Sequence, residues 1–249
     1  MAILVLGATG ATGRLVVKDL LNHDQNVIAL VRKSSLVPHK NLKQIYGTAL
    51  SLDDQSLLNL LQEVDCVISC LGHNLSFKGI YGAPRMLVRD SIKRICELEH
   101  QIQAKSKRKA PLKFILMNST GNRNLDLQEP VSLLHWGLLA LIRVLVPPHL
   151  DNERAANYLR AKMGNQDPIN WVVVRPDTLV DQINTSPYNL HLSPTRSALL
   201  DPGKTSRINV ANFIARLTRE QDLFASWQGQ MPVIYNEVVQ ENESKLEVN

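Results

Sequence analysis

Apolar positions along this chain follow two rhythms in alternation. Near-continuous apolar runs at Ala2 to Leu6, Asn26 to Val31, Gln44 to Tyr46, Val64 to Leu71, Leu112 to Met117 and Trp171 to Val174 read as strands. Between them lie stretches of helical spacing. One runs from the glycines after Leu6 to Asn22, and another from Asp54 to Gln62 carries leucines at helical intervals. The longest, Arg85 to Ala104, turns Leu87, Ile92, Ile95, Cys96 and Leu98 to one side. Strands apolar at every position are buried on both faces, so the pattern predicts a parallel sheet with helices on each side. Right-handed crossovers then give a doubly wound α/β fold of the Rossmann type, whose ligand lies across the carboxyl ends of the strands.

The first strand runs directly into Gly7-Ala8-Thr9-Gly10-Ala11-Thr12-Gly13. In such a turn Gly7 permits the tight exit from the strand, and Gly10 lets backbone approach a pyrophosphate with no Cβ in the way. Gly13 lets the new helix pack closely. The free N–H groups and the dipole of that helix face an anion. The second strand ends in Val31-Arg32-Lys33-Ser34-Ser35, with two cations and no acid. A carboxylate there would accept from the ribose 2′-OH of NAD. Arg32, through its planar fork, and Lys33, as a point charge, favour the 2′-phosphate of NADP. The expected cofactor is therefore NADP(H), ahead of NAD(H).

Composition narrows the class further. The 249 residues are 44% apolar and 20% charged, ordinary for a globular protein with a sizeable core. A single dinucleotide-binding domain over residues 1–237 is expected, with a polar tail, 238–249, that frays. The net charge of +5 is spread along the chain, so no nucleic-acid partner is expected. The run Lys105-Ser106-Lys107-Arg108-Lys109 reads as a solvated loop. Cys66, Cys70 and Cys96 are too few for a disulfide framework. Cys66 and Cys70 belong to an apolar strand rather than to a metal site with His73. With no basic leader ahead of the first strand, a cytoplasmic location is expected. Val131 to Val146 is apolar except for Ser132, His135 and Arg143, and at that length it is no stable membrane span. It is expected to line a pocket for a small-molecule substrate, to meet a protein partner or a second copy as a homodimer, or to touch a membrane surface.

Several strand-end motifs resemble one known group. They are the glycine turn, Leu30-Val31-Arg32, Asp65-Cys66-Val67-Ile68-Ser69-Cys70-Leu71-Gly72, Met117-Asn118-Ser119-Thr120-Gly121, Trp171-Val172-Val173-Val174-Arg175-Pro176 and Ser206 to Ile214. Together they resemble the atypical short-chain dehydrogenase/reductase proteins of the NmrA-like and biliverdin- and flavin-reductase-like branch, over roughly residues 1–235. The resemblance implies that Gly7, Thr9, Gly10, Ala11 and Thr12 hold the pyrophosphate and Arg32 the 2′-phosphate. Cys70, Leu71 and Gly72 would lie beside the adenosine and ribose, and Asn118 and Ser119 near the nicotinamide. Arg175-Pro176 would close the far side. A small carboxyl-terminal substrate lobe would come from about 122–150 and 177–206. The chain departs from the group in one place: Gly47-Thr48-Ala49-Leu50 stands where an acid often contacts adenine.

Many relatives use a Ser, a Tyr and a Lys one helical turn after the Tyr. The Lys lowers the pKa of the Tyr, which passes the proton. Ser119 is the candidate serine. Tyr158 and Lys162 have the right spacing to share one helix face. Counted back from Arg175-Pro176, however, the motif position of the group falls near Pro148 and His149, which turns Tyr158 about 180° away. The expectation is an oxidoreductase that passes hydride to a small apolar carbonyl, quinone or flavin-like acceptor. The alternative is a non-catalytic NADP(H)-binding redox sensor or assembly factor. A sugar-nucleotide epimerase or dehydratase ranks third.

Overall fold

The computed structural model describes residues 2–33, 36–73, 81–105, 108, 110–127, 129, 147–163, 168–197 and 201–237. The stretch Val131 to Val146 and the tail from Val238 lie outside the described residues. The chain runs through β1 (Ala2–Leu6), α1 (Gly13–Asn22), β2 (Asn26–Val31), β3 (Leu42–Tyr46), α2 (Asp54–Gln62) and β4 (Cys66–Ser69). Next come α3 (Leu87–Ala104), β5 (Leu112–Met117), a 3-10 turn at Leu125–Leu127, α4 (Pro147–Lys162) and β6 (Ile169–Pro176). The last third holds β7 (Thr178–Val180), β8 (Tyr188–His191), β9 (Lys204–Ser206), α5 (Arg207–Arg219), α6 (Gln221–Trp227) and β10 (Val233–Asn236).

One sheet takes the order β3-β2-β1-β4-β5-β6-β10-β8, and β7 pairs with β9 beside it. All pairs from β3 to β10 are parallel, and β8 closes the edge antiparallel to β10. Strand alternation divides the apolar interior in two. Leu4, Leu6, Ile28, Leu30, Val67, Phe114 and Leu116 point to the face covered by α2, α3 and α4. Ile3, Val5, Val27, Ala29, Ile68 and Ile115 point to the face covered by α1, α5 and α6. This is why the strands read as continuous rather than alternating. Each such fully buried Leu or Ile contributes about 1.5–3 kcal/mol by leaving water.

Register brings the working ends into line. Leu6 of β1 stands opposite Leu30 of β2 and Ser69 of β4, and Ser69 stands opposite Leu116 of β5. The residues that follow, Gly7, Arg32, Cys70 and Met117, therefore emerge in one row along the carboxyl edge. The basic run before β5 is placed differently from expectation at one position. Arg108 is largely buried, donates to the carbonyls of Leu61 and Val64 at 2.6 and 2.8 Å, and pairs with the buried Glu99. It closes the carboxyl end of α2, whose last carbonyls have no partner within the helix.

Candidate functional site

A cleft of about 760 Å³ lies along that edge. Leu6 and Gly7 at the end of β1, Leu30 and Arg32 at the end of β2, Cys70 to His73 after β4, and Met117 and Asn118 at the end of β5 form its floor. Its walls come from the starts of α1 and α3, the 47–51 turn, Asn152 of α4, Leu179 of β7 and Arg207 of α5.

The glycine turn is built by close backbone packing. Gly7 has φ of +70°, and a Cβ on it would stand 2.5 Å from the Cys70 carbonyl oxygen. A Cβ on Gly13 would stand 2.1 Å from the Gly7 carbonyl oxygen, so Gly13 lies behind the cleft lining and sets how closely α1 meets the turn. Thr9, Gly10, Ala11 and Thr12 face the cleft itself. The first-turn N–H groups of a helix have no partner within it. In α2 and α5 a side chain answers: Asp53 accepts from Ser56 N–H at 2.9 Å, and Ser206 from Asn209 N–H at 3.2 Å. In α1 the N-cap Thr12 makes no side-chain cap bond, and the first turn holds no acid. Arg14 and Leu15 N–H turn back to the carbonyls of Gly10 and Thr12, each at 3.0 Å, so the start of α1 faces the cleft with backbone closure alone and neither a side-chain cap nor an acid to repel an anion.

At the β2 end Arg32 lines the cleft, and Lys33 is exposed outside the lining. Opposite Arg32 the turn after β3 is closed by its own hydroxyls. Thr48 N–H donates to Ser51 Oγ at 2.8 Å, and Ser51 N–H donates back to Thr48 Oγ1 at 3.1 Å. Among the described residues lining the cleft there is no Asp or Glu. Its fixed charges, Arg32 and Arg207, are both positive; Arg207 is paired with the exposed Asp181 at 3.0 Å, which leaves Arg32 as the charge offered to a phosphate-bearing ligand. Leu179 falls within the expected substrate lobe and Arg207 within the Ser206 to Ile214 motif, but neither was singled out as a site residue, because β7 and the start of α5 reach the cleft through the tertiary fold. Cys70 and Leu71 flank the middle of the site. Burial pushes the Cys70 thiol up to about 12, so it stays protonated and unreactive at neutral pH.

The far wall is fixed by hydrogen bonds. Asn118 Nδ2 donates to the Asn152 backbone carbonyl at 2.9 Å, and Asn118 Oδ1 accepts from Ser119 N–H at 2.9 Å and from Asn122. Asp151 beside it is wholly buried. One of its oxygens, Oδ1, accepts from Arg89 N–H at 2.9 Å. The other, Oδ2, accepts from Val88 N–H at 2.8 Å and from His73 Nε2 at 2.8 Å. Asp151 therefore caps α3 from another helix, since the residue at the α3 N-cap, Met86, makes no side-chain cap bond. It also holds the His73 ring against the cleft. No spacing in the sequence linked these residues, because they lie 78 positions apart.

Ser119 and Pro176 stand outside the lining. The Ser119 hydroxyl and the His149 ring flank Gly121, where an added Cβ would lie 3.3 and 3.2 Å from them. Tyr158 packs against the apolar cluster under α4, and Lys162 is exposed, so neither lines the cleft. Arg175 is also turned away from the cleft, into a buried pair with Glu129.

A glycine turn under an uncapped helix start, spanned by an acid-free cleft at the carboxyl edge of a parallel sheet, defines a nucleotide-binding protein of the doubly wound class. The chain belongs to the NAD(P)H-binding family, whose model matches residues 7–221. This agrees with the short-chain dehydrogenase/reductase resemblance of its motifs. Over 82 residues the chain is 38% identical to the chloroplastic divinyl chlorophyllide a 8-vinyl-reductase of Arabidopsis thaliana, covering 28% of this chain and 20% of that protein. Over 71 residues it is 35% identical to dTDP-6-deoxy-L-talose 4-dehydrogenase (NAD(+)) of Aggregatibacter actinomycetemcomitans, covering 27% and 26%. The chain thus matches about a fifth to a quarter of the length of these curated relatives. Among solved structures, the oxidoreductase ylbE of Lactococcus lactis superposes with a TM-score of 0.66 at 16% identity, over 95% of this chain and 91% of that one. A wide-type short-chain dehydrogenase/reductase of Veillonella parvula, solved in complex with NADP, gives 0.64 at 17% identity, over 94% of each. At such identities the likeness is one of fold. Among the described residues, no helix is long and apolar enough to cross a membrane.

Proposed function

We propose that the protein is an NADP(H)-dependent oxidoreductase that passes hydride to a small, largely apolar carbonyl, quinone or flavin-like acceptor. The observation that carries this reading is the charge of the cleft: Arg32 at its β2 end, a helix start with no side-chain cap and no acid at its centre, and no carboxylate among the described lining residues. When bound, the dinucleotide supplies the hydride. In this reading the backbone of Thr9 to Thr12 binds the pyrophosphate, and the Arg32 fork binds the 2′-phosphate. The Thr48–Ser51 turn meets adenine through backbone groups. Leu71, Met117 and Leu179 exclude water from the reacting end, and the acceptor lobe comes from 122–150 and 177–206.

The experiment is a pair of titrations followed by a turnover screen. NADPH should bind at least about tenfold more tightly than NADH, a difference of about 1.4 kcal/mol. Replacing Arg32→Ala should remove that preference while leaving NADH affinity within twofold. Equal affinities for the two dinucleotides in the unaltered protein would overturn the NADP assignment. NADPH bound but oxidised with no quinone, enone, flavin or aldehyde would favour the second reading, a non-catalytic NADP(H) sensor or assembly factor. That reading draws its support from Tyr158, half-buried against the apolar cluster and outside the cleft lining, and Lys162, exposed to solvent.

A further inference from the structure

Arg207 is the first residue of α5, and the start of a helix is the end where its dipole disfavours a cation. The first turn of α5 holds no acid to offset it. The backbone beneath is firmly held. Ser206 Oγ accepts from Asn209 N–H at 3.2 Å, and Ser206 N–H donates to Asn236 Oδ1 at 2.9 Å. Arg207 lines the cleft together with Leu179 of β7, and α5 packs beside α1. Helix stability gives no reason for a guanidinium at this place, whereas an anion there meets the charge and the dipole together.

Its partner holds it loosely. Among the described residues a single bond, Nη1 to Asp181 Oδ1 at 3.0 Å, joins this guanidinium to another group. The Asp181 side chain is 83% exposed and that of Arg207 24%. Arg196 and Arg216 show the filled fork by contrast. Arg196 gives two bonds to Asp201, and Arg216 gives two to Glu220 and one to Tyr188. An exposed ion pair held by one bond contributes little. A carboxylate or phosphoryl group accepts two parallel bonds from the same fork.

We infer that Arg207 is a second oxyanion seat in the cleft, in addition to Arg32, and that Asp181 competes with the ligand for it. The oxyanion comes from the pyrophosphate of the dinucleotide or from a carboxylate on the acceptor. The inference rests on the dinucleotide reading above and adds to it a cation with a built-in competitor. Binding exchanges one partner of the guanidinium for another. Asp181 already faces water, so it loses little on release. The arginine side chain turns about its own bonds, and the exchange needs no movement of α5. Removing the Asp181 charge should therefore tighten binding, the opposite of what a structural pair would give.

Two substitutions in the full-length protein test this, Arg207→Ala and Asp181→Asn. The probes are NADPH and NADH, followed by fluorescence, and benzoate titrated into protein saturated with NADP+. If the pyrophosphate takes the seat, R207A should weaken NADPH and NADH alike by at least about tenfold. D181N should tighten both about two- to fivefold, since an exposed ion pair no longer competes. If a carboxylate on the acceptor takes it, the same opposite shifts should appear with benzoate while both dinucleotides stay within about twofold. Tm should stay within a few degrees in both variants, because both side chains reach solvent. A D181N that fails to tighten whichever probe R207A weakens would overturn the inference. So would affinities that R207A leaves unmoved in both arms. Equal affinities of the unaltered protein for NADPH and NADH would overturn the NADP assignment and leave the Arg207 seat standing. An unaltered protein that binds neither dinucleotide would overturn both.

Discussion

The Arg175 guanidinium and the Glu129 carboxylate meet through two bonds of 2.8 and 3.0 Å, with side chains 0 and 5% exposed. The remaining donors and acceptors of the pair are also engaged. Arg175 donates to the carbonyls of Met231, Asn122 and Leu192, and Glu129 accepts from Asn124 N–H at 2.8 Å. One pair thus ties β6 to the loop after β5, to the end of β8 and to the approach to β10. Breaking it from one side strands a charge in a dry place. Glu129→Ala should cost about 3–5 kcal/mol in urea unfolding, while joint replacement of both residues by leucine should cost less than the sum of the two single changes. A loss below about 1 kcal/mol for E129A would show that the arginine finds water instead.

Two glycines of the first turn should separate folding from binding. Gly13→Ala places a methyl 2.1 Å from a backbone carbonyl oxygen and 2.9 Å from its carbon, neither of which is free to shift. It should lower Tm markedly or abolish soluble expression. Gly10→Ala meets only the Gly7 carbonyl oxygen, at 3.2 Å, and faces the cleft. It should leave Tm within a few degrees and weaken NADPH binding at least tenfold. Similar Tm values for the two variants would contradict this division.

Tyr158 and Lys162 have the spacing of a catalytic pair and the surroundings of a scaffold. Tyr158→Phe keeps the ring that packs under α4, and Lys162→Ala removes an exposed chain. Each should change NADPH affinity and kcat by no more than about twofold. A tenfold loss of kcat in Y158F alone would restore the tyrosine to the chemistry.

Burial pushes the Glu99 carboxyl above its ordinary value of 4.5, against the opposing pull of Arg108. The folded chain therefore holds this proton more tightly than the unfolded chain does. The stability that Glu99 contributes is fully present below about 4.5 and falls as pH rises through the raised folded value. Glu99→Gln cannot ionise, so the stability difference between E99Q and the unaltered protein should shift in favour of E99Q as pH rises through that window. Urea midpoints measured between about pH 4 and 8 would check it, and a difference that stays flat would remove Glu99 from the account.

Elements with their own burial were legible from the chain. Ala2–Leu6, Asn26–Val31, Asp54–Gln62 and Leu112–Met117 stand where the apolar pattern put them. The fourth strand is shorter than its apolar run, because Val64 and Leu71 pack on the core from outside the ladder. The short strands Thr178–Val180 and Lys204–Ser206 were not legible, since three-residue segments too short to show a period become strands only through each other. The phosphate end of the cleft follows local chain logic, a strand, a turn and a helix start, so sequence reaches it. The opposite end is assembled from positions far apart. The strand-end motif did point to Asn118, but its bond to Asn152, the pairing of His73 with Asp151 and the approach of Arg207 each depend on which helix lies beside which loop, and no local pattern records that.

The capping of α3 by Asp151 also has a consequence for the order in which the molecule can be finished on the ribosome. Residues 87–104 emerge well before residues 147–162, and until the later helix arrives the leading turn of the earlier one has no side chain to complete it. A nascent chain halted near residue 140 should therefore show protease cleavage around Val88 and Arg89. That sensitivity should vanish only when Asp151 has cleared the exit tunnel and docked. Completion of this face of the protein and completion of its cleft become a single late event, timed by one carboxylate.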